Sequence, residues 1–312
     1  MRRTSRRNLA ASVRQLLFNL SQKKGEAFDL VLTRYTLERF LYRISQSEYR
    51  EKFLLKGAML FSLWFDTPHR LTRDLDLLGF VASDITNLEK IFQALCKVEV
   101  VEDGVTFLPE TVRGDEIRDA TEYRGVRIHL MANLAGASIP LQVDVGFGDV
   151  VIPAPEEITY PTLLEFPAPK LRTYSKYSVV SEKFQAMVML GIANSRMKDF
   201  FDIWAMVKEF DFDGSILSRA IQITFKQRRT DLPEEVPFPL TDSFFEDRVK
   251  KTQWRAFIRK NSIENVPGDL RDVIIIIANF LSPILDAITK GLSFYGIWRA
   301  PGPWSGHLTR DV

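Results

Sequence analysis

The sequence predicts an α+β fold in which N-terminal helices precede a small mixed sheet and a helical half closes the chain. Three observations carry this prediction. Leu9, Val13, Leu16, Leu17 and Leu20 recur at a helical period. Residues 53–147 switch to short runs that alternate with a period of two. From Ser178 onward the helical period returns and holds almost to the end.

In chain order, a second helical set (Leu30, Leu37, Phe40, Leu41, Ile44) follows Lys23-Lys24-Gly25, where the glycine marks a helix stop. Phe53-Leu54-Leu55 predicts a short strand entering Lys56-Gly57-Ala58, and residues 59–65 a buried helix with Trp64 and Phe65 in the core. Thr67-Pro68-His69 is a polar break, after which residues 74–80 alternate as a strand. A helix over residues 85–96 precedes strand-like runs at 105–108, 126–134 and 139–147. Helices are expected over 179–190, 198–210 and 216–225, and a loop over 231–241, which holds Pro233, Pro237 and Pro239. Helices over 244–258 and 270–288 complete the chain. Phe166-Pro167-Ala168-Pro169 suggests a boundary between 1–167 and 168–312; no internal repeat is present.

Composition excludes several classes. With 46% apolar and 26% charged residues over 312 positions, the chain is too apolar to be disordered and long enough for one or two cores. The single cysteine, Cys96, rules out an intramolecular disulfide and a cysteine-rich zinc site. His69, His129 and His307 lie far apart, which argues against a histidine-rich metal centre. The apolar run 273–288 is broken by Asn279, Ser282, Pro283 and Asp286, so it reads as a buried helix and no membrane partner is expected. Arg2, Arg3, Arg6 and Arg7 are not followed by the apolar stretch of a secretory signal, so a cytoplasmic location is expected. Lys and Arg number 42 against 40 Asp and Glu, but basic residues cluster at 2–7, 226–229 and 250–260, the last interleaved with Trp254 and Phe257. Such clusters are either solvated helix faces or surfaces for a phosphate backbone.

Asp74 and Asp76 raise the first chemical question, because carboxylates two apart on a strand share a face and repel. A solvated strand end would tolerate them; a buried face would demand cations, and divalent metals answer that demand efficiently. Gly57, in a strand-to-helix turn, lets backbone N–H groups approach a phosphate. Asp144 is a lone acid in the apolar run 141–147, and it shares parity with Gln142, opposite to Leu141, Val143 and Val145. It therefore either faces solvent or joins the other two acids.

Residues 53–79 (FLLKGAMLFSLWFDTPHRLTRDLDLLG) resemble the first motif of the AbiEii/AbiGii nucleotidyltransferase toxins, including the MenT type, which are relatives of DNA polymerase β-like nucleotidyltransferases. Gly57, Asp74 and Asp76 match the Gly-Ser or Gly-Gly pair and the metal-binding D-x-D; Ala58 departs from the pair and removes a hydroxyl, so the resemblance implies that Gly57 and Ala58 contact the nucleotide through backbone N–H groups. Ser181-Glu182-Lys183-Phe184-Gln185-Ala186 is similar to the second motif, which implies that Lys183 contacts the nucleotide. Residues 194–202 (NSRMKDFFD) are similar to the third, which carries Arg196, Lys198, Asp199 and Asp202. The likeness covers residues 53–204 and implies a polymerase β-like core with a C-terminal helical half.

Nucleotidyl transfer gathers negative charge on non-bridging and leaving oxygens. Two Mg²⁺ ions held by Asp74, Asp76 and Asp144 would answer it, with Asp144 near the acceptor hydroxyl as ligand or proton acceptor. Lys183 suits the triphosphate, and Lys198 and Asp202 share a helical spacing that would face the nucleotide. The competing reading makes Arg196 and Asp199 part of a salt-bridge lattice fastening the helical half to the sheet. Arg70 and Arg73 flank the D-x-D and either clamp phosphate or neutralise the two acids. The resemblance implies a toxin that transfers nucleotides from an NTP to an RNA acceptor, the tRNA 3′ end, and so blocks translation, partnered by a cognate antitoxin. The alternatives are a non-catalytic RNA- or protein-binding member and a kinase-like phosphotransferase.

Overall fold

The computed structural model describes residues 2–65, 72–117, 125–306 and 308–309, with the backbone alone for 2–8 and 308–309. It divides the chain into two units, Met1–Gly148 with Pro155–Tyr174, and Asp149–Ala154 with Ser175–Val312. The architecture is mixed α/β.

The first unit opens with helices α1 (Arg2–Lys24) and α2 (Phe28–Ser45). Strand β1 (Phe53–Lys56) leads through a 3-10 turn (Gly57–Leu60) into the short helix α3 (Phe61–Trp64), and β2 (Asp74–Gly79) and α4 (Ile85–Cys96) follow. The sheet is completed by β3 (Val105–Ile117), β4 (Gly125–Leu134), β5 (Ala137–Phe147), β6 (Glu156–Thr159) and β7 (Lys170–Thr173). The seven strands run in the order β3-β4-β5-β2-β1-β7-β6. Pairing is antiparallel except between β2 and β5 and between β1 and β7. The helix expected over 59–65 is thus a tight turn plus one helical turn, and Trp64 is half-buried whereas Phe65 is buried. The sequence boundary near 167 falls inside this unit, because Lys170–Thr173 pairs with both β1 and β6.

Alternation builds the core. Leu75, Leu77, Val143 and Val145 are buried, and Phe40 from α2 stacks on Phe92 of α4 at 5.7 Å and meets Phe107 of β3 at 5.1 Å. Each such ring contributes roughly 1.5–3 kcal/mol by leaving water. Register between β4 and β5 is set by the two-residue turn Ala135-Gly136, with φ of 50° and 82°. Two successive positive φ angles define the turn whose twist matches a hairpin. Asn133 supports it by accepting the Gly136 N–H through Oδ1 at 3.1 Å.

The second unit is helical: α5 (Lys176–Leu190), α6 (Met197–Glu209), α7 (Gly214–Gln227), α8 (Asp242–Phe245), α9 (Arg248–Asn261) and α10 (Leu270–Thr289). Short strands β8 (Phe212–Asp213), β9 (Ser293–Phe294), β10 (Ile297–Trp298), β11 (Trp304–Ser305) and β12 (Leu308–Thr309) form small ladders, β11-β10-β8 and β12-β9. Helix α10 is the one described helix long and apolar enough to cross a membrane by length and composition. It buries Val273, Ile277, Phe280, Leu281 and Ile284 within this unit, packed against α6 and α7. Trp304 donates to the Phe280 carbonyl at 2.8 Å and Trp298 to the Val207 carbonyl at 2.7 Å, which anchors the C-terminal strands to that core.

Candidate active site

The register of the sheet assembles a charged row that no short motif announces. Arg127 on β4 stands opposite Asp144 on β5, Asp144 opposite Asp76 on β2, and Asp76 opposite Lys56 on β1. Directly paired residues face the same side, so two acids lie side by side with a cation on each flank. Asp74, two residues before Asp76, shares the face and pairs in register with Gln142. The neighbouring row, Val126, Val145, Leu77 and Leu55, faces the other way and is buried. Of the acids, Asp74 is exposed while Asp76 and Asp144 are half-buried. Asp144 therefore lies on the less buried face, as its parity with Gln142 indicates, and that same face carries Asp74 and Asp76.

Gly57 is required at its position for a reason beyond phosphate approach. Its φ is +74°, and a Cβ placed there would lie 1.9 Å from Oδ2 of Asp76. The carboxylate of Asp76 thus packs over bare backbone where β1 turns into the 3-10 segment. Among the described residues Asp76 holds no hydrogen bond or ion pair. Ala58 is buried in the same turn, so its methyl packs in the core.

Asp144 differs from expectation. Both its oxygens accept from Arg127, Oδ1 from Nε at 2.8 Å and Oδ2 from Nη2 at 2.7 Å, and Gln142 Nε2 adds a contact to Oδ1 at 3.2 Å. Among the described residues no three acid, histidine or cysteine side chains gather into a metal-holding group. A shared three-carboxylate cage is not what these side chains form. Asp74 and Asp76 nonetheless fit Mg²⁺, which binds through one or two hard carboxylates and completes its shell with water and substrate phosphate.

Arg73 neither clamps the row nor neutralises it. Its guanidinium donates to Asp29 on α2 at 2.7 Å, as its parity opposite to Asp74 and Asp76 would direct. Arg70 lies outside the described residues.

In the second unit, Lys183 on α5 lies 2.8 Å from Asp199 Oδ1 and 2.7 Å from Asp202 Oδ2, both on α6. Arg196 Nε approaches Asp199 Oδ2 at 2.7 Å. Asp199 and Asp202 have no solvent exposure at all. Burial alone would raise the Asp199 carboxyl, but Lys183 and Arg196 more than offset it and hold the group below its ordinary range. The lattice the spacing allowed therefore exists, but it joins α5 to α6 rather than the helical half to the sheet. Lys198 is exposed in the first turn of α6 and does not share the buried face of Asp202.

Two basic clusters turn out to be partly structural. Arg228 donates to Asp149 and to Gln185 Oε1, each at 3.1 Å, and approaches Glu182 at 3.0 Å. Lys250 is buried and donates to the Asn194 carbonyl at 2.8 Å, and Trp254 is buried and donates to the Pro267 carbonyl at 3.0 Å. Sequence reading missed Lys56 and Arg127, the row's two cations. The one available signal was Arg127's polarity inside the apolar run 126–134; its partner depends on register across the hairpin.

A model of the family described as nucleotidyl transferase AbiEii toxin, Type IV TA system, matches residues 39–273. Among solved structures, the chain is similar to JHP933 from Helicobacter pylori, with 13% identity, a TM-score of 0.45, and coverage of 82% of this chain and 88% of that one. It is also similar to an H. pylori protein named as a candidate nucleotidyltransferase, with 14% identity, a TM-score of 0.43, and coverage of 83% and 92%. No curated protein matches by sequence.

Proposed function

This chain belongs to the AbiEii family of nucleotidyltransferase toxins of type IV toxin–antitoxin systems, and on that premise we propose that it transfers a nucleotide from an NTP to an RNA acceptor, the 3′ end of tRNA, and so blocks translation. Membership implies a transferase and a cognate antitoxin. In this reading the mixed sheet is a DNA polymerase β-like core and the protein works in the cytoplasm, where its acceptor is found. The observation that carries it is Asp76, a half-buried carboxylate packed over Gly57, facing the same way as Asp74 and Asp144 and holding no partner of its own among the described residues.

In the reaction the acceptor oxygen bonds to the α-phosphorus, the bond from that phosphorus to the bridging oxygen breaks, and pyrophosphate departs with the electron pair. Asp74 and Asp76 would hold Mg²⁺, which when bound supplies positive charge to the non-bridging and leaving oxygens. Asp144 takes the acceptor hydroxyl proton, and Arg127 positions it through the two-pronged hydrogen bond. Lys56 is paired in register with Asp76, and its ammonium stands over the Tyr174 ring, 5.3 Å from the centroid. The matched motifs imply a catalytic role for Lys183 and Asp202 and nucleotide contacts for Lys183 and Lys198, but Lys183 is bound to Asp199 and Asp202, and Asp202 is sealed from solvent, so the sheet acids carry this proposal.

The neutralisation of Asp144 by Arg127 favours one other reading, a non-catalytic RNA- or protein-binding member. Incubation with Mg²⁺, labelled NTPs and bulk tRNA separates them. Label from the α-position is expected in RNA, with Asp76→Ala lowering product by at least about 10²-fold, the scale of losing one electrostatic contact to the transition state. RNA binding without label would establish the non-catalytic reading, and transfer of γ-label to protein a kinase-like one.

A further inference from the structure

Helix α9 carries six basic residues and no acid in Arg248–Asn261, and the fold divides them. At 100° per residue, Arg248, Lys251, Thr252, Arg255 and Arg259 fall on one stripe, while Lys250, Trp254 and Phe257 lie on the other side. Burial agrees: Lys250 and Trp254 are buried, Phe257 is half-buried, and Arg248, Arg255 and Arg259 are exposed. Lys251 pairs with Glu246 at 2.5 Å, and Asp247 is engaged in capping the helix at the Lys250 N–H. Among the described residues, the guanidinium groups of Arg248, Arg255 and Arg259 hold no ion pair or side-chain hydrogen bond. Arg248 to Arg259 spans eleven residues, a rise of about 16 Å.

We propose that this outer face of α9 binds the phosphate backbone of a nucleic acid without regard to sequence. Three guanidinium groups in line, open to solvent, match a polymer of regularly repeated negative charge, and arginine suits phosphate through its planar fork. Sequence independence follows from the aromatics. Trp254 and Phe257 would be the stacking platforms of a base reader, but Trp254 is buried, with its N–H given to Pro267, and Phe257 stacks on Trp254 at 5.7 Å. The proposal deepens the RNA-acceptor reading and rests on it for the kind of nucleic acid.

The test is fluorescence anisotropy of the full chain with a labelled RNA hairpin and an unrelated hairpin, over a range of salt. Each phosphate contact contributes about 0.7 to 0.9 to the slope of log affinity against log salt. Arg255→Ala/Arg259→Ala is expected to flatten that slope by about 1.5 for both hairpins, whereas Arg255→Lys/Arg259→Lys keeps it. Both pairs leave the fold intact because the side chains are exposed and hold no polar partner, and thermal melting checks this. An unchanged slope overturns the proposal, as does loss of binding to polyglutamate with RNA binding intact, which would assign the face to an acidic protein. The transfer assay on wild type is read separately. If label never reaches RNA but the slope flattens, the enzyme reading falls and the α9 assignment stands; if label reaches RNA and the slope is unchanged, the α9 assignment falls and the enzyme reading stands.

Discussion

Acids and lysines chosen from the sequence on the same grounds end in opposite states in the two units. On the sheet, Asp76 and Asp144 sit side by side, half-buried, on a face that also carries exposed Asp74. Between α5 and α6, Asp199 and Asp202 are sealed from solvent, and two positive charges, Lys183 and Arg196, balance their two negative ones. A balanced, buried group of charges is complete in itself and holds helices together. On the sheet Arg127 answers Asp144, but Asp76 is left half-open with no partner among the described residues, and such a row is complete only when something else binds. Residue type and spacing did not separate the two; burial and register do.

The largest effect that tests the contrast is removal of the cation from the sealed group. Lys183→Met leaves Asp199 and Asp202 buried without their shared partner, and breaking a buried pair from one side costs about 3–5 kcal/mol. Urea denaturation measures it. Lys183→Met combined with Asp199→Asn and Asp202→Asn should recover most of the loss, since the same volume is then filled by neutral groups. The pH dependence has a defined sign. Asp199 is held below its unfolded value, so its contribution is fully present above the unfolded carboxylate pKa of about 3.9 and is lost as pH falls through the lower folded value. If Lys183→Met is as stable as wild type, the group is no fastener and the lysine becomes available for a ligand.

Glu38 on α2 sharpens the same comparison from within the first unit, because it is nearly as buried as Asp199 but lacks a cation in hydrogen-bonding contact. Burial pushes its carboxyl up to about 7, against the Leu163 N–H, which donates to Oε2 at 2.7 Å, and against Arg39, whose Nη1 stays 3.5 Å from Oε1. The folded state therefore binds the proton more tightly than the unfolded one. Stability is greatest below the unfolded pKa, declines as pH rises from about 4.5 to about 7, and is flat above that. The span is about 3 kcal/mol. Glu38→Gln keeps an acceptor for Leu163 and should abolish that decline; chemical denaturation at pH values across the window reads the slope, and a slope that persists would assign it to another group.

Much of the fold was legible because local periodicity carries it. The helix over residues 85–96 matches α4 residue for residue, and the strand expected from residue 74 begins there. What escaped was short or polar. β6 and β7 are four residues each, at the end of the sheet, with charged residues among them. β3 runs on from Leu108 to Ile117 through an irregularity before Arg113, where polar residues hide the alternation. The shared face of Asp74 and Asp76 and the turn at Gly57 were legible because turn signals and strand parity are local. Arg127 was not, since it meets Asp144 only through strand register, nor was Lys56, which stands opposite Asp76 by register alone, and Arg228 meets Asp149 across 79 positions.

The smallest effect concerns why Gly57 is glycine. Two causes are mixed in Gly57→Ala: a left-handed φ of +74° and a methyl placed 1.9 Å from Asp76 Oδ2. Strain of the first kind costs about 1–3 kcal/mol, and the second must push the carboxylate off its seat. A double-mutant cycle with Asp76→Ala separates them, because removing the carboxylate relieves the contact and leaves the backbone strain. If the contact matters, Gly57→Ala costs less stability in the Asp76→Ala background than in wild type, by roughly 0.5–3 kcal/mol. It should also lower RNA labelling while Mg²⁺ and NTP are saturating, since the displaced acid is the one proposed to hold the ion. Equal costs in both backgrounds would mean that the glycine serves the turn alone, and that the open row on the sheet owes its geometry to strand register rather than to the turn beside it.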